Sequence, residues 1–221
     1  MCLYHRTPRN KHIAGLVCLA IFAIYCSIAQ TQELTELAPL NADTPITYFI
    51  AEGSTGSHYR ETDRELATWA LQAWERSAND KLHFVPAPES TALLRIYWVP
   101  ANFGQYGEMR PLVVDNRRGA AVFIRPDTNA LGEEIRQRTR DDSLLRDTIV
   151  YLTCLHEIGH ALGLSHTSNY VDIMYFFGFR GDIPGFFARY RDQLRSRSDI
   201  ATVTGLSEGN LRRLAELYAF E

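Results

Sequence analysis

Cysteine is scarce in this chain, and what there is stands badly placed for cross-linking. Of four cysteines in 221 residues, Cys2, Cys18 and Cys26 fall within the first 29 positions and Cys154 stands alone after them. If that leading stretch is removed, no internal disulfide can form. The remainder must then be held by its own core, with or without a metal, and roughly 190 residues are enough for a sizeable one. A surplus of positive charge is missing as well. Formal net charge is -3, and setting residues 1 to 29 aside removes Arg6, Arg9 and Lys11 but no acidic residue, which takes it to -6. That sign opposes phosphate backbones, so no nucleic-acid partner is expected. There is no internal repeat, no low-complexity tract and no coiled-coil pattern, and a monomer is expected. Gly 14, Pro 9 and a 46% hydrophobic content exclude collagen-like or wholly disordered chains and fit one ordinary globular domain.

Long apolar runs are also lacking. The longest, Ile13 to about Tyr25, falls short of the ~20 residues of a membrane-spanning helix. It follows a basic n-region and precedes Ser27-Ile28-Ala29, small residues suited to cleavage after Ala29. Residues 1–29 thus read as a signal peptide, and the protein as extracytoplasmic, either secreted or periplasmic. An uncleaved membrane anchor is the alternative, and a membrane partner is expected only in that case. Residues 30–45 read as a polar linker, leaving 46–221 as the globular domain.

Within that domain, Ile46 to Ala51 has the composition of a strand, and Thr62 with Glu65 has the spelling of a capping box. Leu66, Trp69, Ala70, Ala73 and Trp74 then recur at helical spacing, which predicts a helix packed on a sheet. Leu82 to Val85, Leu93 to Val99, Leu112 to Val114 and Ala120 to Ile124 read as further strands. The charged stretch from Asn129 to Asp142 reads as a solvated helix or connecting loop. Asp142 can cap the next helix, predicted from about Ser143 to Leu162 by Leu145, Ile149 and Leu152. Near the C-terminus, Ser207 can cap a helix whose Leu211, Leu214, Ala215 and Tyr218 share one face. This order is consistent with a mixed sheet covered by helices.

The chemistry concentrates in His156-Glu157-Ile158-Gly159-His160-Ala161-Leu162-Gly163-Leu164-Ser165-His166. Histidines four apart on a helix lie about 40° apart around its axis, so His156 and His160 can reach one zinc ion from the same face. Glu157 is rotated from them by about 100° and can lean toward a water on that ion without becoming a ligand. Gly163 permits a left-handed exit from the helix, so that His166 can approach as a third ligand. Three neutral imidazoles and one open position describe a catalytic zinc site. A closed structural zinc would need a fourth protein ligand, and Cys154 lies on a different face of the helix, where it reads as a small buried residue.

HEIGHALGLSH is similar to the extended zinc-binding motif of metzincin metalloproteases, and Asp172-Ile173-Met174-Tyr175 resembles their Met-turn. The spacing from His166 to Met174 and the Met-Tyr order resemble the matrixin branch. Outside the motif the resemblance extends to Ile46–Ala51, Thr62–Ser77, Leu93–Val99 and Leu206–Tyr218. It implies an α+β, zincin-like fold: a twisted mixed β-sheet, an active-site helix, a Met-turn and a C-terminal helix. It further implies a zinc-dependent endopeptidase acting on peptide or protein substrates, with one catalytic Zn2+ on His156, His160 and His166. Glu157 is then the general base toward zinc-bound water, and Met174 the apolar floor beneath the ligands.

Some metzincins use a tyrosine two positions after that methionine as an extra ligand. Here the position holds Phe176, so Tyr175 is expected to shape the turn or pocket. No cysteine-containing inhibitory motif and no histidine-rich structural-zinc loop is spelled here, only His58 and His83 lying outside the motif after the leader. A second zinc is not expected, and calcium has no clear motif. Tyr175, Phe176, Phe177 and Phe179, with Phe186, Phe187 and Tyr190 beyond them, can line a hydrophobic substrate pocket or simply pack an inserted turn. A noncatalytic zinc-binding protein and a zinc hydrolase of non-peptide bonds are the alternative functions.

Overall fold

The computed structural model describes residues 37–179 and 181–220. The leader at 1–29 and the first part of the linker lie outside the described residues. The compact unit runs Leu37–Glu221, and Leu40, in the later part of the linker, is buried in its core.

Five strands form one mixed sheet in the order β2-β1-β3-β5-β4: β1 Ile46–Ile50, β2 Phe84–Pro86, β3 Leu94–Trp98, β4 Gly107–Val114 and β5 Arg117–Ile124. β1 runs parallel to β2 and β3, β3 parallel to β5, and β4 antiparallel to β5 at the sheet edge. Alternation drives this sheet. Ile46, Ile50, Leu94, Ile96, Ala120, Val122 and Ile124 are all buried. On the other face, Tyr97 and Phe123 stack at 5.5 Å, and Phe103 covers Phe123 at 5.4 Å.

β4 and β5 are longer than the short runs read from the sequence. Asp115 and Asn116, both with positive φ, make the two-residue turn that closes them into a hairpin. Pro111 sits within β4, which an edge strand tolerates because the missing N–H is not needed for a second neighbour. β2 starts later than expected, at Phe84 rather than Leu82, whose side chain belongs to the core.

The helices are α1 Asp63–Arg76, α2 Glu133–Asp141, α3 Ser143–Ala161, α4 Ile183–Arg191 and α5 Glu208–Tyr218. Asp142 caps α3, its carboxylate accepting from Leu145 N at 3.0 Å, and Ser207 caps α5 by accepting from Asn210 N. The capping box expected at Thr62 and Glu65 does not form. Thr62 is already helical (φ -66, ψ -14) and makes no side-chain cap. Its neighbour Asp63, fully buried, takes that part by accepting from Arg60 N at 2.8 Å and from the guanidinium of Arg146 on α3. Glu65 turns outward to Arg197 at 2.6 Å.

α3 is nearly all buried, packed between α1 and the sheet. Trp74 of α1 donates its indole N–H to Leu155 O at 3.0 Å, one residue before His156. The ion pair at one end and this indole at the other fix α3 in register with α1. No helix among the described residues is long and apolar enough to cross a membrane.

Candidate metal centre and active-site cleft

α3 carries His156, Glu157 and His160 on its last turns and then stops. Gly163, with φ +98, takes the left-handed exit, and a side chain there would run into Leu37 O and Pro39. The chain doubles back and brings His166 to the two helical histidines. Ligand atoms of the three imidazoles lie within 4.8 Å of one another, and Nε2 of His160 and Nε2 of His166 are 3.1 Å apart. His160 is buried, His156 half-buried, and His166 stands at the open side.

The histidines are oriented from behind. Nδ1 of His156 donates to Ile173 O at 2.6 Å, and Nδ1 of His160 donates to Leu164 O at 2.8 Å. Because a carbonyl only accepts, each proton is fixed on Nδ1 and each Nε2 keeps its lone pair for a metal. Burial, with His166 nearby, pushes the His156 imidazole down to about 4. Burial together with its two neighbouring histidines pushes His160 down to about 3. Both are therefore neutral at pH 7, as metal binding requires. A three-nitrogen set with one open side fits zinc.

The turn bearing Ile173 is itself held from the C-terminal helix. Asn210 Oδ1 accepts from Ile173 N at 2.9 Å and from Ser207 N at 3.2 Å. Asp172 accepts from Thr167, Asn169 and Ser207 side chains. Thr167 donates to Met174 O at 2.8 Å and accepts from Phe176 N at 3.0 Å, which ties the turn to the residue after His166. Met174 is fully buried, with its sulfur against Gly159 of α3. Asn210 and His156 thus bind the N–H and the C=O of the same residue, Ile173. Asn210 was not legible as part of the site, since only the tertiary fold brings α5 to this turn.

Glu157 is buried at the wall of a cavity of about 210 Å³ that His156 and His166 also line. Burial pushes its carboxyl up to about 8, and Glu108 on β4 adds to the effect. A cation held by the histidines would oppose that shift. Gly107, the first residue of β4, lies directly against the Glu157 carboxylate, so a Cβ there would overlap it. Gly107 is not among the positive-φ glycines, so contact rather than backbone conformation requires it.

The rest of the cavity is apolar and aromatic. Tyr175, Phe176 and Phe177 line it, joined by Phe186 and Phe187 of α4, by Leu152 and Thr153 one turn before His156, and by Tyr106 ahead of β4. Phe177 meets Phe186 edge-on at 5.0 Å. Phe176 lies over His166 at 4.8 Å and is 45% exposed at the mouth. Phe179 stands outside the lining, 57% exposed, and packs edge-on against Phe176 at 5.5 Å. Cys154 is buried in the core, where burial raises its thiol well above the ordinary value, and it is not part of the histidine group.

The family model that matches this chain is that of the matrixins, over residues 41–180. Among solved structures, two of myroilysin are similar to it. One has 15% identity and a TM-score of 0.41, covering 82% of this chain and 82% of that chain. The other has 18% identity and a TM-score of 0.39, covering 82% of this chain and 86% of that chain. No curated protein matches.

Proposed function

The chain belongs to the matrixin family of metalloproteases, and from that premise we propose that it is a zinc-dependent endopeptidase with Glu157 as general base. The observation that carries the reading is the convergence of three imidazoles, two of them neutral with protons fixed away from the common centre, beside a cavity that also holds a buried glutamate. His156, His160 and His166 would hold the ion, whose chemistry when bound is Lewis acidity toward water and a carbonyl oxygen. Glu157 accepts the proton of the attacking water as the bond to the carbonyl carbon forms. It then delivers that proton to the departing amine nitrogen as the C–N bond breaks. Burial of Glu157 excludes competing solvent.

Peptide is favoured over other acyl substrates by β4. It is an edge strand whose far side has no strand partner among the described residues, and it begins at Gly107, beside the Glu157 carboxylate, and runs on to Val114. An extended peptide laid along such an edge gains main-chain hydrogen bonds on both sides of the scissile bond. The aromatic cavity then takes an apolar side chain next to that bond. Secretion from residues 1–29 and action as a monomer complete the proposal. A peptide-library digest run with a chelator, and again after zinc restoration, tests it. Zinc-restored cleavage at internal bonds beside apolar residues is expected, whereas turnover of non-peptide substrates alone would refute it.

A further inference from the structure

A second cavity, of about 480 Å³, shares no lining residue with the cleft. Its walls are the segments that follow the carboxyl ends of β1 and β5, the side of α2 bearing Arg136 and Arg140, and Arg146 at the start of α3. β1 and β5 flank β3 in the parallel part of the sheet. Crevices beyond the carboxyl ends of parallel strands are where such sheets usually bind ligands.

The charge of these walls is one-sided. Arg60, Arg136, Arg140 and Arg146 face one carboxylate, Asp127. Asp127 is already occupied by Asn129 N at 3.0 Å and by Arg125 at 3.4 Å. Arg146 is spent on Asp63. Arg136 pairs with Glu133 on its own helix, yet its Nε–H is shut off from solvent and has no partner. Arg125, 7% exposed and adjoining the lining residue Pro126, also has a shielded Nε–H with no partner. Arg60 reaches Asp147 only at 3.9 Å, and Arg140, exposed, acts on Glu133 through space without a close ion pair among the described residues. Thr128 and Thr139, hydroxyls 3.2 Å apart, complete the polar wall. This concentration of guanidinium groups sits in a chain of net charge -3.

We propose that this cavity binds a small oxyanion, phosphate or sulfate, free or carried on a small molecule. Arg60 and Arg140 supply solvent-accessible guanidinium groups that no carboxylate holds in close contact among the described residues. Arg136, paired with Glu133, and the Thr128 and Thr139 hydroxyls, engaged with each other and with Ile135 O, form the polar wall around them. Guanidinium forks match tetrahedral oxyanions in both geometry and charge. The site is independent of the proteolytic reading, since none of these residues belongs to the cleft.

The test is calorimetric titration of the full chain with inorganic phosphate, inorganic sulfate and phosphoethanolamine in separate arms, with chloride holding ionic strength constant. Saturable one-to-one binding is expected in at least one arm. It should weaken about tenfold or more in the Arg60→Gln/Arg140→Gln double variant. It should persist in Arg195→Gln, which removes an exposed arginine elsewhere. Preference for an inorganic anion identifies a free ligand, and preference for phosphoethanolamine identifies a carried one. No saturable binding by the unmodified chain, or equal binding by a double variant that melts as the parent does, overturns the proposal.

Discussion

Replacing Gly107 by alanine tests the cleft at its tightest point. A Cβ built there lies 2.8 Å from Glu157 Cγ and 2.9 Å from Cδ, and closer still to Oε1, where ordinary contacts begin at 3.4 Å. Relief requires a displacement of about 0.5–1 Å, by the carboxylate or by the start of β4. The backbone at Gly107 is not left-handed, so alanine adds no conformational strain, and overpacking costs about 1–3 kcal/mol of stability. Misplacing a catalytic group by about 1 Å is worth about 100-fold in rate, or about 2.7 kcal/mol in the barrier. Single-turnover cleavage of an excess-enzyme peptide, with zinc content and urea stability measured on the same preparation, separates chemistry from folding and metal loading. A folded, fully loaded Gly107→Ala variant is expected to lose about two orders of magnitude. Retention of the parent rate to within about threefold would refute the claim that Gly107 sets the position of Glu157.

Asp63→Ala leaves the buried Arg146 with Asp147, at 3.3 Å, as its remaining carboxylate and with the carbonyl of His58. It should cost about 3–5 kcal/mol in urea unfolding, and a loss below about 1 kcal/mol would show that the pair is not an anchor of α3. Asn210→Ala removes the acceptor behind the Ile173 peptide and should weaken zinc affinity about 10- to 100-fold in a chelator competition. Unchanged affinity would break the link from α5 to His156. Phe177→Ala enlarges the apolar cavity and should shift the preferred side chain in a peptide library toward bulkier residues. An unaltered preference would place substrate recognition elsewhere.

The active-site helix was fully legible because every signal for it is local. Asp142 supplies the cap, Leu145, Ile149 and Leu152 the period, and Gly163 the exit, and the three histidines follow from that geometry. α5 was legible for the same reason, through Ser207 and the apolar face beyond it. The hairpin was underestimated because Pro111, Gly119 and four charged residues break the alternation of strands whose pairing comes from the Asp115-Asn116 turn. Thr62 failed as a cap because Asp63 has a stronger partner across the fold, Arg146, which no local window contains. Gly107, Tyr106 and Asn210 reach the site from β4 and α5, so their contribution appears only when the sheet and the C-terminal helix are in place. Phe176 and Phe177 were foreseen as pocket residues and line the cavity, whereas Phe179, three residues beyond Phe176, points its ring outward beside it.

The central claim is that Glu157 moves the proton in a zinc-dependent cleavage of peptide bonds. Its most direct test is the Glu157→Gln variant, which keeps the shape of the side chain and removes its basicity. With zinc content, urea stability and peptide turnover measured side by side, the expected result is a folded variant with one zinc bound. Its cleavage rate should be lowered by about 10²- to 10⁴-fold. Cleavage at the parent rate by a clean, zinc-loaded Glu157→Gln preparation would contradict the account.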